Sequence, residues 1–411
     1  MLHVIDHLNV ITLYLLKNHE MVITGLESLL ADFPAGLKGK RVGILCHAPS
    51  ITSNFEHISS VFYRMKECSL TALFGPQHGM YGQTQDNMIE WQTQKHPVFN
   101  IPVYSLYGEH RKPTSGMLNN IDVLLIDLQD VGARLYTYIW TVKLCMEACA
   151  ERGIPVWVLD RPNPIGKLPF DGPVLKEEFF TFVGGACIPL CHRMTIGEMA
   201  LWLREKYYKN CELTVIRMRN WKRSMLYSET GLPWVLPSPN LPTLHSAIVY
   251  PGTVLIEALN LSEGRGTTIP FELFGAPYIN SEKLLKSLSG RKIEGCTFRE
   301  HNFIPTFHKF REELCYGMQI HVTDIEKFRP VATALEIFDA ILETSLEGSL
   351  QFKLPPYEYE YNLMPFDILS GDSVMRESLL ARKETSVEKS RWESEIEQFR
   401  KEFSYLSIYE E

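Results

Sequence analysis

The sequence predicts an α/β protein built around a parallel β-sheet. Three times within the first 165 residues, a short aliphatic or β-branched run ends in a polar loop that contains Gly or Pro. Longer segments with the composition of helices lie between such runs, and this alternation is typical of βαβ units. The length of 411 residues suggests two domains.

Four strands and two helices are predicted in this alternating region. The strands lie at residues 42–46, 70–74, 123–128 and 156–159, and the helices at residues 54–68 and 138–152. A third helix is predicted at residues 195–208, because Thr195 and Glu198 have the spacing of a capping box. Later elements are a strand at 318–322, a helix at 330–344 and, from the alternating charges of residues 382–403, a surface helix without a chemical role.

Polar side chains follow three of the predicted strands. They are Gln77 and His78, then Asp130, Arg134 and Tyr136, then Asp160, Arg161 and Asn163. Because ligands of open parallel sheets bind outside the carboxyl ends of the strands, we expect these loops to meet in one crevice. Structural roles compete with ligand contacts at each position: a histidine can bond backbone, an aspartate can cap a turn, and arginines can form ion pairs. Asn163, between two prolines, also suits an architectural role.

A second group of candidates lies in the loop of residues 260–268. Its glycines allow the backbone to approach a ligand closely, while Glu263 and Arg265 supply opposite charges. An ion pair between these two side chains that holds the loop closed explains the same residues equally well. Glu257 follows Ile256, and on a strand it would point outward, exposed and inactive.

Composition excludes some classes of function. The formal net charge is -8 and no basic stripe is present, which argues against nucleic acid as the main partner. Nine scattered cysteines indicate reduced thiols in a reducing compartment. The apolar run at residues 8–16 lacks the flanks of a secretion signal and is too short to cross a bilayer, so we treat residues 1–21 as an N-terminal extension and expect a cytoplasmic protein.

Several reaction classes lack their sequence signatures. The first strand is not followed by a glycine-rich dinucleotide motif, and neither a phosphate-binding loop nor a serine nucleophile elbow occurs. Cys187, Cys191 and His192 lack a second pair at zinc-like spacing, so we expect no metal and no cofactor. The remaining inventory of carboxylates, Asn, Arg, Tyr and Trp suits a neutral polyhydroxylated ligand.

Ten ordered motifs carry a resemblance to a known family. They are FGPQHG, YSLYGEHRKPT, DLQDVGARLYTY, LDRPNPIG, DGPVL, MTIGEMA, LPSPNLPT, YPGT, NLSEGRGTTIPFE and GAPYI, and they span about residues 22–375. In this order they closely resemble the bacterial exo-β-N-acetylmuramidases of peptidoglycan turnover, formerly a family of unknown function. The resemblance implies a Rossmann-like domain, placed at residues 22–235, and a smaller α+β domain at residues 236–411 that completes a cleft.

The chain departs from the family pattern at three places. Gln77 stands where the family usually has Glu, and an amide cannot donate a proton as a carboxylic acid does. Asp171 replaces an acidic residue one methylene longer, and Arg193 follows His192 where the family has Gly. Glu257, Glu263 and Arg265 are kept.

The resemblance implies hydrolysis of a β-glycosidic bond that releases terminal N-acetylmuramic acid. A buried carboxyl group with a raised pKa would protonate the leaving oxygen, and we expect Glu263 or Glu257 in that role, with Asp171 assisting. Contacts to the sugar or its lactyl carboxylate are expected from Gln77, His78, Asp130, Arg134, Tyr136, Asp160, Arg161, Asn163, Asn240 and Arg265. A catalytically inactive or re-specialised glycan-binding homologue is the alternative, and a nucleotide-using enzyme is a weaker one.

Overall fold

The protein is described by a computed structural model that covers residues 21–85 and 88–411. Its strands are β1 (Arg41–Cys46), β2 (Ser69–Gly75), β3 (Gln94–Lys95), β4 (Pro102–Ser105), β5 (Val123–Asp127), β6 (Val156–Leu159), β7 (Asp171–Val174), β8 (Pro189–Cys191), β9 (Leu213–Ile216), β10 (Leu273–Ala276), β11 (Cys296–Glu300) and β12 (Tyr316–Val322). The predicted N-terminal extension lies outside the described residues except for Met21.

The helices alternate with strands in the first half and dominate the end of the chain. They are α1 (Gly25–Ala31), α2 (Ile58–Arg64), α3 (Ser115–Leu118), α4 (Tyr138–Ala150), α5 (Ile196–Tyr207), α6 (Leu244–Thr253), α7 (Ser281–Ser289), α8 (Pro330–Thr344), α9 (Pro365–Ser370), α10 (Val374–Leu380) and α11 (Thr385–Ser404). Short 3-10 helices lie at Ala35–Leu37, Glu177–Phe179, Tyr227–Glu229 and Val254–Ala258.

Within the described residues, seven strands form the central sheet in the order β3-β4-β2-β1-β5-β6-β9. All neighbouring pairs are parallel except β3 with β4. Every residue of β5 is buried, as expected for a parallel strand covered on both faces. The predicted α/β fold with a parallel sheet is confirmed.

The predicted helices match the structure to different degrees. Thr195 caps α5 with the expected reciprocal bonds to Glu198, and α8 has the predicted bounds. The helix predicted at residues 54–68 is shorter, because Ile51 pairs with His57 in an isolated bridge and the helix begins only after that turn.

The second half of the chain contains a smaller antiparallel sheet in the order β10-β12-β11. Helix α8 packs against α6 and α7, and its buried side chains join the same apolar core as the central sheet. This arrangement agrees with the predicted smaller α+β unit. The domain boundary near residue 235 stays a prediction.

The charged terminal helix does more than cover the surface. Helix α11 buries Trp392, Ile396, Phe399 and Phe403, which recur at helical spacing, and it packs along β7. The predicted surface helix is present, but it is not fully solvated, because an apolar stripe lies among its charges. In the part of the chain that the structure describes, we find no helix with the length and apolar character needed to cross a membrane.

Candidate active site

A pocket lies where the loops after β2 and β5 face residues from the second half of the chain. It encloses about 480 Å³ free of protein atoms, part of it open to solvent. Its walls are made by Gln77, His78, Leu135, Tyr136, Thr137, Val183, Ser238, Asn240, Tyr250, Val254, Glu257, Arg265, Phe271, Tyr357 and Glu358. The pocket therefore has the mixed polar and aromatic lining of a small-ligand site.

One wall is built at the end of β2. The Oγ1 hydroxyl of Thr137 donates to Oε1 of Gln77 at 2.6 Å. With that oxygen occupied, the other polar group of the Gln77 side chain is an NH₂ group, which can only donate. His78 has a left-handed backbone (φ 69°), and its Nδ1 lies 2.8 Å from the Thr84 carbonyl.

Aromatic rings form much of the pocket interior. The rings of Tyr136 and Tyr250 pack edge to face with centroids 5.9 Å apart, and Tyr250 packs in the same way on Phe271 at 4.9 Å. Asn240 completes this side, and its amide donates to the Gln85 carbonyl at 2.7 Å. Rings held rigidly in this way offer apolar faces against which a sugar ring can pack.

Glu257 is buried in the pocket wall rather than exposed on a strand. It belongs to the 3-10 helix Val254–Ala258 and is 4% exposed, so the expectation of an outward, inactive side chain was wrong. The Arg265 guanidinium donates to its Oε1 at 2.6 Å, and the Tyr357 hydroxyl donates to its Oε2 at 2.7 Å. The guanidinium of Arg265 also lies 5.2 Å from the ring centroid of Phe271.

A second carboxyl group, that of Glu358, faces the same pocket and was missed by the sequence analysis. Glu358 is 5% exposed and accepts a hydrogen bond from the Tyr107 hydroxyl at 2.9 Å. Burial raises the pKa of Glu358 to about 7, the hydrogen bond from Tyr107 opposes that rise, and the negative charge of Glu257 adds to it. The available signal was the Tyr-Glu-Tyr-Glu-Tyr run at residues 357–361, where aromatic residues alternate with carboxylates.

Glu263 lies outside the pocket lining and has cations around it. The Lys309 ammonium donates to its Oε2 at 2.8 Å, and His308 Nδ1 and Arg265 Nη1 lie 3.3 Å and 3.7 Å from its Oε1. Burial alone would raise the pKa of Glu263, but Lys309, His308 and Arg265 hold it well below the usual value. A carboxyl group in this state is ionised at neutral pH and is a poor source of protons.

Asp130 is buried close to the pocket without lining it. Its Oδ2 accepts from the Gly132 N–H at 2.7 Å, and His192 Nε2 lies 3.7 Å from the same oxygen. Burial raises the pKa of Asp130 to about 7, against the hydrogen bonds from the Gly132 and Val131 amides. The structure thus places Asp130 as a turn cap beneath the tyrosines.

Four of the other candidates from the strand-end loops bond to protein groups. Arg134 donates to the carbonyls of Pro173, Ile188, Leu369 and Ser370. Arg161 pairs with Asp127, and Asp160 accepts from Thr195, Gly197 and Tyr409. Asn163 bonds to Ile165 and Met194. The loops after β2 and β5 therefore reach the pocket. The candidate residues of the loop after β6 instead form hydrogen bonds and an ion pair with other segments of the protein.

Asp171 is also distant from the pocket lining. Its Oδ2 accepts from the backbone N–H groups of Val331 and Ala332 at 2.7 Å and 3.1 Å, and Arg329 Nε lies 3.2 Å from Oδ1. Asp171 thus caps the start of α8 and joins β7 to that helix.

No group of three or more His, Cys, Asp or Glu side chains within residues 21–85 and 88–411 is arranged to hold a metal ion. Cys187, Cys191 and the other seven cysteines are free thiols. The chemistry available in the pocket is that of two buried carboxyl groups, one guanidinium, one imidazole, amides, hydroxyls and phenols.

Comparison with known proteins decides the family. Residues 42–245 match the model of the N-terminal domain of exo-β-N-acetylmuramidase NamZ, and residues 248–409 match that of its C-terminal domain. The chain belongs to the NamZ family.

Individual relatives agree with this assignment. The peptidoglycan β-N-acetylmuramidase NamZ of Bacillus subtilis (strain 168) is 43% identical over 393 residues, which cover 94% of this chain and 91% of that protein. A crystal structure of a DUF1343 family protein from Bacteroides fragilis superposes with a TM-score of 0.86 at 32% identity, covering 95% of this chain and 99% of that one. A second DUF1343 protein from the same organism gives 0.74 at 28% identity, with 95% and 100% coverage.

Proposed function

We propose that this chain is an exo-acting β-N-acetylmuramidase that removes terminal N-acetylmuramic acid from glycan fragments of peptidoglycan. The observation that carries the proposal is the pocket, where residues from both halves of the NamZ pattern bring two buried carboxyl groups beside a guanidinium. The B. subtilis relative has this activity by name and matches nearly the whole chain.

The lining of the pocket suits contact with a sugar. Leu135, Val254 and Phe271 are buried apolar side chains in its walls, and with Tyr136 and Tyr250 they provide apolar faces. Gln77 and Asn240 add amides for the hydroxyl and acetamido groups.

Arg265 is the guanidinium of the pocket, and we assign it to recognition of the lactyl carboxylate. Muramic acid differs from glucosamine by this carboxylate, so a charge-assisted contact to it would separate the two sugars. Lys309 adds a further positive charge near Arg265, since its Nζ lies 2.8 Å from Oε2 of Glu263. Glu257 and Glu263 flank the guanidinium and fix its orientation.

The carboxyl groups supply the acid and base chemistry of hydrolysis. Glycoside hydrolases protonate the leaving oxygen with one carboxyl group, and N-acetyl sugars can use their own acetamido oxygen as the internal nucleophile. We assign to Glu257, which is held by Arg265 and Tyr357, the role of orienting and polarising that acetamido group. We infer that Glu263 positions Arg265 and that Asp171 stabilises the fold.

The inactive alternative rested on Gln77 and is not favoured. The two pocket carboxyls and Arg265 remain whatever residue 77 is. Peptidoglycan turnover inside the cytoplasm, with a glycan fragment or muropeptide as ligand, stays a prediction.

Purified full-length protein incubated with a chromogenic aryl β-N-acetylmuramide tests the proposal. We expect turnover of this substrate and little turnover of the matching β-N-acetylglucosaminide, which lacks the lactyl carboxylate. No turnover by the natural chain, with turnover appearing in Gln77→Glu, would instead support the inactive alternative. Stabilisation by nucleotides in a thermal melt would support the nucleotide-using one.

A further inference from the structure

We propose that Glu358 is the proton donor to the leaving-group oxygen in this chain. The inference rests on the proposed muramidase function and names the residue that performs its acid step. It is needed because the amide of Gln77, which lines the pocket after β2, cannot supply a proton.

The turn that carries Glu358 directs this side chain into the pocket. Tyr357 and Glu360 exchange backbone hydrogen bonds of 2.9 Å, which close a tight turn between them. Glu358 and Tyr359 inside the turn both have left-handed backbones, with φ of 46° and 66°. Glu358 faces the pocket, whereas the Tyr359 hydroxyl lies 3.2 Å from Glu90, away from it.

The two carboxyl groups of the described pocket lining have different donors. Glu257 accepts from a cation, Arg265, and from Tyr357. Glu358 accepts from the neutral phenol of Tyr107, in an almost fully buried position. Charge on a buried carboxylate is costly unless a cation or several donors compensate it. Glu358 is therefore the member of the pair suited to hold a proton.

The charged groups around Glu358 come from several elements. Glu257 disfavours its ionisation, and the cations Arg265 and Arg111 favour it, with burial the largest influence on its pKa. The Arg111 guanidinium lies over the rings of Tyr107, Phe182 and Tyr359, with centroids 4.9, 4.9 and 4.4 Å away. A pKa of about 7 leaves a large protonated fraction of Glu358 near neutral pH.

The step balances without a further reactant. The acetamido oxygen of the bound sugar forms a bond to C1 as the bond from C1 to the leaving oxygen breaks. The leaving oxygen keeps the electron pair of the broken bond and takes the proton of Glu358. Water then adds to C1 and opens the cyclic intermediate. Its proton returns to the Glu358 carboxylate, which restores the acid.

Comparing two leaving groups tests the assignment. A sugar leaving group needs protonation, whereas a dinitrophenolate leaves without it. We expect Glu358→Gln in the full chain to lower kcat/KM for a muramyl-glucosamine disaccharide by about 10²- to 10⁴-fold and kcat/KM for the dinitrophenyl muramide by less than about tenfold, because kcat/KM reports the step that releases the leaving group. Glu358→Asp keeps an acid and should retain part of the disaccharide activity. Glu360→Gln makes the same charge change in the same turn and is the matched control.

The pH profile supplies a second readout. Because the acid must be protonated, wild-type activity on the disaccharide should fall as pH rises through about 7. The Tyr107 hydrogen bond lowers the pKa of Glu358, so Tyr107→Phe should move this limb to higher pH.

Three results would overturn the assignment. The first is an equal loss on both substrates in Glu358→Gln, and the second is unchanged disaccharide activity in that variant. The third is a wild-type chain that turns over neither substrate, which removes the proposed function together with its acid. In the first two cases wild-type turnover survives, so failure of the acid assignment alone remains recognisable.

Discussion

Glu263 and Glu358 are both buried glutamates near the same pocket, and their surroundings give them opposite tendencies. Glu263 has Lys309, His308 and Arg265 beside it, and its pKa lies well below the usual value. Glu358 has the phenol of Tyr107, and burial raises its pKa to about 7. Burial alone therefore does not select an acid. The charge of the neighbouring donors decides which carboxyl group keeps its proton.

Removing the carboxylate of Glu257 should lower activity on both substrates. We expect Glu257→Gln to lower kcat/KM for the disaccharide by about 10³-fold, because the amide cannot provide the negative charge that orients the acetamido group. Unlike Glu358→Gln, it should slow the dinitrophenyl substrate to a similar extent, since both substrates carry that group. Steady-state kinetics with the two substrates would show the pattern, and activity within a few-fold of wild type would contradict it.

Removing Glu263 should act mainly on stability. Its loss leaves Lys309, whose side chain is 11% exposed, without its carboxylate, and breaking a largely buried pair costs about 3–5 kcal/mol. We expect Glu263→Gln to lower the free energy of unfolding by this order in urea titrations, while the folded enzyme keeps the pH limb near 7. Pairing it with Lys309→Met should restore part of the stability. If Glu263→Gln is as stable as wild type but abolishes the alkaline limb, the roles of the two glutamates are reversed.

Asp171 should behave as a helix cap rather than as a helper in catalysis. Asp171→Asn keeps an acceptor for the Val331 and Ala332 amides but loses the charge beside Arg329, so we expect a loss of about 1–2 kcal/mol in unfolding free energy. Its kcat should stay within a few-fold of wild type. A fall of kcat by two orders of magnitude at unchanged stability would restore the helper role that the sequence predicted.

Asp130 should change the pH dependence of stability rather than the activity. Its pKa is about 7 in the folded chain and near 4 when unfolded, so its contribution is complete at low pH and is lost as pH rises through about 7. The slope of unfolding free energy against pH in that window should change by up to about 1.4 kcal/mol per pH unit in Asp130→Asn. Identical slopes in both proteins would contradict the buried, protonated state.

The fold could be predicted from local patterns, because strand-forming runs and capping residues act over short distances. Runs such as residues 156–159 and the Thr195 cap needed no knowledge of distant contacts. The prediction for the charged C-terminal helix missed the apolar stripe around Trp392 that lies among its charges.

The pocket was harder to predict, because its composition depends on contacts between distant segments. Tyr107 and Glu358 are 251 residues apart in sequence yet bonded in space. Asp160 and Arg161 directly follow a strand, as ligand-binding residues often do. In the structure, however, Asp160 accepts a hydrogen bond from Tyr409, and Arg161 pairs with Asp127. Polar residue types at strand ends indicated where ligand contacts could lie, and only packing showed which loops reach the pocket.

A carbon-13 NMR titration of the glutamate carboxyl groups tests the central claim most directly. With the signals assigned through Glu358→Gln and Glu263→Gln, we predict that Glu358 titrates near pH 7 and that the pKa of Glu263 lies well below the ordinary glutamate range. Titration of Glu358 near the ordinary glutamate value, or of Glu263 above it, would contradict the account.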